Sequence, residues 1–304
     1  MTITSPFNHR SSADDVLRGQ NLRGQVIIVT GANTGIGYET ARSLAAVGAT
    51  VIATCRSAEK AAATKQRLLQ AHPDSSVEAA VMDLASLASV RDFCAQLVHS
   101  KIDVIICNAG IVAPKYGETV EGFEQTVGVC HVGHFLLVKM LLLKILSAPA
   151  PRVVMVSSES HRAPPRLNFD ALPYPRDKFS TMKAYGQAKL CNALMAVELH
   201  RRYADQGLTA CYLHPGTMVT TDIGRDSALV RFAMLLVRPF TKTANQGAAT
   251  SVFCATWQER SELGGNYFSH CTRAKPSAET ANAEASSRLW DVSERWLQEK
   301  GFAE

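Results

Sequence analysis

The chain has 304 residues, of which 46% are hydrophobic and 19% are charged, and its net charge is +5. This apolar content is enough to bury a sizeable core, and the scattered Lys and Arg residues form no block of like charge that would indicate a nucleic-acid partner. The N-terminus lacks the apolar stretch of a signal peptide, and the longest apolar runs, about 135–146 and 228–237, are too short or too interrupted by charge to cross a bilayer. We therefore expect a globular protein with no membrane span.

The cysteines indicate a reducing compartment. None of them forms a Cys-x-x-Cys pair, and most fall inside apolar strand or helix patterns. We expect reduced core thiols, no metal site and a cytoplasmic location. The eight residues are Cys55, Cys94, Cys107, Cys130, Cys191, Cys211, Cys254 and Cys271.

The order of apolar runs predicts the fold. Residues 1–21 are polar and without periodicity, so we expect a flexible N-terminal tail, followed by one domain over 22–304. Short apolar runs then alternate with segments of helical periodicity, which is typical of parallel β-α-β units. The predicted fold is α/β, a Rossmann-type doubly wound parallel sheet of about seven strands with helices on both faces. Strands are predicted at 26–29, 50–54, 77–82, 102–107, 152–157, 209–213 and 266–268, and helices at 36–47, 57–70, 86–99, 117–146, 181–204, 227–237, 243–257 and 284–299, with a proline-rich loop at 159–178.

A glycine turn after the first strand is the strongest candidate for a ligand site. Gly31, Gly35 and Gly37 form the pattern TGxxxGxG between a buried strand and a helix. Such a turn lets backbone N–H groups and the positive end of the helix dipole approach a pyrophosphate. Glycine is also used in turns and at close packing contacts, so the pattern alone leaves that structural alternative open.

The residues after the other strands suggest which cofactor binds. An NAD site usually has a carboxylate after the second strand, whereas here Cys55 is followed by Arg56, which can pair with a 2′-phosphate. NADP(H) is therefore preferred and NAD(H) remains an option, although Arg56 is also compatible with an exposed residue at a helix start. The other strands end at Asp83 and Leu84, at Asn108, Ala109 and Gly110, at Ser157 and Ser158, and at Pro215 and Gly216.

Tyr185 and Lys189 lie four residues apart on a predicted helix and therefore share one face. An ammonium group beside a phenol favours the ionised phenol, so Tyr185 is a candidate proton donor and acceptor. A Tyr-x-x-x-Lys pair is also common as an exposed helix pair.

The order of the motifs resembles that of the short-chain dehydrogenase/reductase family, over about residues 22–300. The motifs are, in chain order, TGxxxGxG, Asn-Ala-Gly, Ser, Tyr-x-x-x-Lys and Pro-Gly. The segments HVGHFLL, RVVMVSSESHR, AYGQAKL, HPGTM, GNYFS and RLWDVSE look most like the retinol dehydrogenases and the oxidoreductase domains of WW-domain-containing oxidoreductases.

The resemblance implies roles for individual residues. Tyr185 is then the acid/base, Lys189 orients the nicotinamide ribose and Ser158 binds the substrate oxygen, whereas Ser157 and Ser158 are otherwise compatible with capping of the strand end. The residues implied to contact the cofactor are Gly31, Asn33, Gly35, Ile36, Gly37, Arg56, Asp83, Leu84, Asn108, Ala109, Gly110, Tyr185, Lys189, Pro215, Gly216 and Thr217.

One position departs from the family pattern, because Cys130 stands where the family has the asparagine of its proton relay. Two functions therefore stay open: an NADP(H)-dependent alcohol dehydrogenase or carbonyl reductase, similar to retinol or hydroxysteroid dehydrogenases, and a cofactor-binding scaffold with little turnover. An apolar helix face within 217–240 predicts a lid over a hydrophobic alcohol or ketone, with peripheral membrane contact through it as an option. The same face is compatible with packing on the core or on a second copy of the chain.

Overall fold

A computed structural model describes residues 5–216 and 242–302, and in them one sheet of eight strands has the order β3-β2-β1-β4-β5-β6-β7-β8. The first seven strands are parallel, and the order reverses between β1 and β4, as in a doubly wound sheet. The predicted fold class is therefore confirmed. The strands are β1 (Val26–Thr30), β2 (Thr50–Cys55), β3 (Val77–Val81), β4 (Val104–Cys107), β5 (Arg152–Val156), β6 (Thr209–His214), β7 (Tyr267–Ser269) and β8 (Thr272–Arg273).

The eighth strand is an addition to the sequence prediction. It is two residues long and pairs antiparallel with β7. The chain reverses at His270 and Cys271, both of which have positive φ values, 56° and 59°. A two-residue strand has no detectable periodicity in the sequence, which is why it escaped prediction.

Helices cover both faces of the sheet. In the described part of the chain we number them α1 (Ala13–Leu17), α2 (Gly35–Ala46), α3 (Ala58–Ala71), α4 (Leu87–Gln96), α5 (Gln125–Leu146), α6 (Thr181–Tyr203), α7 (Ala244–Thr256) and α8 (Ala283–Glu299). One hydrophobic core joins α4, α5, α6 and α8 to the sheet, and a second joins α1, α2, α3 and α7 to the opposite face. The strands between them are continuous apolar runs because both of their faces are buried. The helix predicted at 227–237 and the lid predicted at 217–240 lie outside the described residues.

Within the segment 1–21, which the sequence predicts to be a flexible tail, the structure contains the helix α1. Ser12 caps this helix in a capping box with Asp15. Val16 and Leu17 are only 3% and 1% exposed and belong to the second core. A five-residue helix is too short for its periodicity to be visible in the sequence, and its order comes from packing on α7 and α2.

The helix predicted at 117–146 begins later, at Gln125. Before it the chain makes a tight turn in which the N–H of Thr119 donates to the carbonyl oxygen of Phe123 at 2.8 Å, and Gly122 has φ +85°. The Glu124 carboxylate then accepts from the N–H groups of Thr126 and Val127, which caps the helix.

Helix α5 is long and apolar enough to span a bilayer by length and composition, with a mean hydropathy of 1.8 over its best window. In the fold it is a core helix, because 67% of that window is buried inside the protein. The apolar run seen in the sequence begins at Phe135 and is too short to cross a bilayer, whereas the helix extends back through His131 and Cys130 to Gln125. The expected absence of a membrane span stays a prediction.

All eight cysteines are buried free thiols, as the sequence analysis predicted. The segment 159–178 is a loop with three short 3₁₀ turns, also as predicted.

Candidate active site at the carboxyl edge of the sheet

The glycine turn joins β1 to α2 and brings the ends of β1 and β4 into contact. Gly31 has φ +66°, and a Cβ on it would lie 2.9 Å from the Cβ of Ala109. A Cβ on Gly37 would lie 2.4 Å from both Asn108 Nδ2 and the carbonyl oxygen of Gly31. Packing of the chain on itself therefore requires both glycines. The same packing leaves the N-terminus of α2 at the switch point of the sheet, where parallel α/β folds bind ligands.

Hydrogen bonds hold this turn to the neighbouring strand ends. Asn108 Nδ2 donates to the carbonyl oxygen of Thr30 at 2.8 Å, and the N–H of Ala109 donates to Thr30 Oγ1 at 2.9 Å. The N–H of Ala32 donates to the carbonyl oxygen of Thr54 at the end of β2. The edge is thus rigid before any ligand binds, which lowers the ordering cost of binding.

Most of the predicted cofactor residues follow the carboxyl ends of β1, β2, β3, β4 and β6. Arg56 is exposed directly after β2, whereas the preceding Cys55 is buried and donates from Sγ to Thr64 Oγ1 at 3.5 Å. Asp83 accepts from the N–H of Ala85 at 2.9 Å, and Leu84 is 6% exposed and packs against Gly133. Around the same edge lie Gly31, Asn33, Gly35, Ile36 and Gly37 after β1, Asn108, Ala109 and Gly110 after β4, and Pro215 and Gly216 after β6, whereas Thr217 lies outside the described residues.

Tyr185 and Lys189 meet at the end of β5. Lys189 is 3% exposed, and its Nζ donates to the carbonyl oxygen of Val156 at 2.9 Å. The same nitrogen lies 5.7 Å from the centroid of the Tyr185 ring, while Tyr185 is only partly buried. An anchored cation beside a half-exposed phenol is an arrangement suited to proton transfer.

The two serines after β5 have different surroundings. Ser157 is 2% exposed, and its Oγ donates to the carbonyl oxygen of Lys189 at 2.7 Å, so it ties α6 to β5. Ser158 is half-buried, and its Oγ accepts from the N–H of Ser160 at 3.2 Å at the start of a 3₁₀ turn. The Ser158 hydroxyl also donates to Ser160 Oγ at 3.3 Å, so Ser158 is the more exposed of the two serines and its role in substrate binding stays a prediction.

Cys130 lies on the Lys189 side of the site. A Cβ on Gly110 would lie 3.0 Å from Lys189 Nζ and 3.3 Å from Cys130 Sγ, so the thiol and the ammonium group flank the same glycine. The thiol itself donates weakly to the carbonyl oxygen of Ile111 at 3.7 Å. Cys130 sits in a five-residue π-helical stretch of α5, Gly128–Val132, a distortion that is frequent at functional sites.

The carbonyl group of Cys130 is held from two sides. Asn192 on α6 donates to it at 2.7 Å in the amide orientation that satisfies both atoms of its side chain. His134 donates to it from Nδ1 at 2.9 Å, so Nε2 of His134 accepts from the Thr30 hydroxyl at 2.8 Å. Burial lowers the pKa of His134 to about 4, with a further contribution from the charge on Lys189, so the ring is neutral at neutral pH.

This chain of bonds connects the glycine turn to the π-helical stretch, and the sequence analysis did not identify it. His134 lies in the segment HVGHFLL that the resemblance drew on, but neither it nor Thr30 or Asn192 stands out by spacing. Their partners are far apart in sequence, so no local pattern could indicate the contacts.

A second polar cluster borders the site beyond β6. Glu159 accepts from the hydroxyl of Tyr267 at 2.5 Å, and its pKa is lowered because hydrogen bonds from Tyr267 and Arg162 outweigh the opposing effect of burial. Burial lowers the pKa of His214 to about 4. Gly216, with φ +119°, packs against the side chain of Lys242.

The residues at this edge fit a dinucleotide. The first turn of α2 carries no acidic side chain that would repel a pyrophosphate, and an exposed arginine stands after β2.

Comparison with known proteins agrees with this geometry. Residues 25–169 match the family model for short chain dehydrogenases. The chain is 44% identical to the WW domain-containing oxidoreductase of Danio rerio, over 97% of this chain and 73% of that protein. It is 40% identical to human retinol dehydrogenase 11, over 90% of this chain and 85% of that protein.

Solved structures show the same fold. An uncharacterized protein from Mycobacterium paratuberculosis has a TM-score of 0.75 and 32% identity, over 91% of this chain and 95% of that one. A protein from Escherichia coli CFT073, described as a short chain dehydrogenase and solved with NADPH, has a TM-score of 0.63 and 21% identity, over 81% and 96% of the two chains. From its sequence relatives, its sheet order and the residues at the carboxyl edge, the chain belongs to the short-chain dehydrogenase/reductase family.

Proposed function

We propose that this protein is an NADP(H)-dependent oxidoreductase that interconverts an alcohol and a carbonyl group on an apolar substrate. The observation that carries the proposal is the convergence of Ser158, Tyr185 and the buried Lys189 at the end of β5, beside the glycine turn at the end of β1. Its relatives are named oxidoreductases and retinol dehydrogenases, which supports the reaction class.

Each residue of the site has a task in this reaction. A nicotinamide cofactor, when bound, supplies or accepts the hydride. Tyr185 gives a proton to the substrate oxygen during reduction and takes it back during oxidation. Lys189, held by the carbonyl oxygen of Val156, places its ammonium group 5.7 Å from the centroid of the Tyr185 ring and would orient the nicotinamide ribose there. The half-buried hydroxyl of Ser158 donates to the substrate oxygen as charge develops on it.

The preference for NADP(H) rests on the end of β2. No carboxylate directly follows this strand, and the Cys55 side chain is buried and bonded to Thr64. The strand end therefore offers the adenosine ribose a cation, Arg56, and no carboxylate to accept hydrogen bonds from its hydroxyl groups. The NADPH bound to the Escherichia coli structure is consistent with a nicotinamide cofactor.

The hydrophobic substrate, such as a retinoid or a steroid, is proposed from the apolar face that the sequence predicts within 217–240, which lies outside the described residues. We further propose a cytoplasmic location, on the basis of the buried free thiols. Peripheral membrane contact or assembly with a second copy would use the same apolar segment.

A cofactor-binding scaffold with little turnover is the second candidate, favoured by Cys130. A thiol is a weaker hydrogen-bond donor and acceptor than the amide that the family pattern has at this position, so it holds a relay water poorly.

A carbonyl panel tests the proposal. The protein is mixed with NADPH and with retinal, a steroid ketone or an aromatic aldehyde, and NADPH consumption is followed by absorbance. We expect turnover that drops roughly 100-fold or more in Tyr185→Phe, with NADPH affinity unchanged. NADPH binding without consumption across the panel would favour the scaffold, and turnover within a few-fold in Tyr185→Phe would assign the proton to another group.

A further inference from the structure

The side chain of Arg67, on α3, contacts the glycine turn, from which Arg67 is distant in sequence. Its Nη1 donates to the carbonyl oxygen of Asn33 at 3.1 Å. Its guanidinium group lies 4.0 Å above the ring centroid of Tyr38, in the first turn of α2. The Tyr38 hydroxyl in turn donates to the carbonyl oxygen of Arg67 at 3.4 Å. The guanidinium group is therefore held between the Tyr38 ring and the carbonyl oxygen of Asn33.

Arg56 follows a strand end that is linked both to α3 and to the glycine turn. Thr64, three residues before Arg67 and on the same face of α3, contacts Cys55, which directly precedes Arg56. The end of β2 is itself bonded to the turn through Thr54 and Ala32. Arg67 therefore lies beside Asn33, and Arg56 directly follows a strand end that is bonded to the same turn.

Neither arginine has a partner of opposite charge in the described part of the chain. No salt bridge within residues 5–216 and 242–302 involves Arg56 or Arg67, whereas Arg42 on the neighbouring turn of α2 pairs with Glu39 and Asp14. Both side chains are exposed. Two exposed arginines without a carboxylate partner give this part of the turn a net positive charge, which suits an anion such as a phosphate.

We propose that Arg67 is a second specificity-determining residue of the cofactor site, which binds the 2′-phosphate of NADP(H) together with Arg56. This inference rests on the proposed NADP(H) function and extends it to a residue that no sequence motif includes. Only one of the guanidinium nitrogens is used by Asn33, so the remaining N–H groups can donate to phosphate oxygens. The Tyr38 ring fixes the plane of the group and lowers the entropy lost on binding.

The alternative is that Arg67 only fastens α3 to α2. In that case its loss would lower stability without changing the discrimination between phosphorylated and unphosphorylated nucleotides. The two roles therefore predict different results for the same variant.

The experiment measures affinities of 2′,5′-ADP and 5′-AMP by calorimetry at low salt, because these probes differ at the 2′-phosphate. Arg67→Met should weaken 2′,5′-ADP binding about tenfold and leave 5′-AMP within twofold of the parent. Arg67→Lys should lose about threefold, since it keeps the charge but not the planar donors. Lys65→Met removes an exposed charge two residues away on α3 and is the matched control, expected to change both affinities by less than twofold.

The possible results are distinguishable. If the parent prefers 2′,5′-ADP and Arg67→Met keeps that preference, this inference is overturned while the NADP(H) proposal stands. An equal loss for both probes, or a loss of the same size in Lys65→Met, also overturns it. If the parent binds both probes equally, the NADP(H) preference itself is wrong and this inference fails with it. Circular dichroism and Tm of each variant establish that the fold is retained, and Arg67→Lys provides the test if Arg67→Met does not fold.

Discussion

The variant Cys130→Asn distinguishes two hypotheses: an enzyme whose turnover is limited by Cys130, and a scaffold that binds the cofactor without turning over substrate. Cys130 is fully buried, its Sγ bonds only weakly to Ile111, and it flanks Gly110 together with Lys189 Nζ. An amide at this place donates and accepts strong hydrogen bonds, so it can hold a water molecule that returns protons to Lys189 and Tyr185.

The expected gain follows from one hydrogen bond. A bond of this kind that acts only during proton transfer contributes about 1 kcal/mol, which corresponds to roughly a fivefold higher kcat. The larger side chain must fit against Gly110, and overpacking of a buried position costs about 1–3 kcal/mol of stability. We therefore expect a lower Tm together with a higher kcat, an unchanged affinity for NADPH and a steeper dependence of kcat on pH.

The assay is steady-state NADPH oxidation with the best carbonyl substrate of the panel, over a series of pH values. Cys130→Ala is the control, because it removes the thiol without adding an amide and should leave kcat within about twofold. An unchanged kcat in Cys130→Asn, with an active parent, would refute the relay argument and indicate that solvent reaches the site directly. Absence of turnover in both proteins, with NADPH still bound, would favour the scaffold.

Three further predictions test single residues, two of them with a matched neighbour. Ser158→Ala should lower kcat at least tenfold with little change in stability, whereas Ser157→Ala should cost about 1 kcal/mol of unfolding free energy, because it removes the buried hydrogen bond from Ser157 Oγ to the Lys189 carbonyl oxygen. Steady-state kinetics and urea unfolding distinguish the two, and reversed effects would exchange their roles. Burial and the neighbouring His134 lower the pKa of His131 from 6.5 to about 3. Between these two pH values only the unfolded chain binds a proton at His131, so the stability of the parent falls as the pH falls. The free energy of unfolding of His131→Phe minus that of the parent should therefore be about 2 kcal/mol larger at pH 5 than at pH 7.5, and an equal difference at both pH values would contradict this. Leu17→Ala should cost about 2–4 kcal/mol in urea unfolding while the exposed Arg18→Ala costs less than about 0.5 kcal/mol, and equal small effects would restore the flexible tail.

The sequence by itself determined the doubly wound sheet and most of the residues at its edge. The apolar runs of β1, β4, β5 and β6 are buried on both faces, so their composition is visible without knowledge of any partner. The residues after each strand follow from the same alternation, because parallel strands all end at one edge. This is why Gly31, Arg56, Asn108 and Tyr185 were predictable from order and spacing.

Only the tertiary structure decided how those residues work together. It gave Ser157 a structural contact, because its hydroxyl donates to the carbonyl oxygen of Lys189, thirty-two positions along the chain. It ordered α1, whose five residues are stabilised by α7 and α2 rather than by their own propensity. It also brought Arg67 to Asn33 and His134 to Thr30, contacts across 34 and 104 positions. Spacing within one helix or strand reports only on neighbours in the chain, and these contacts form when separate elements pack.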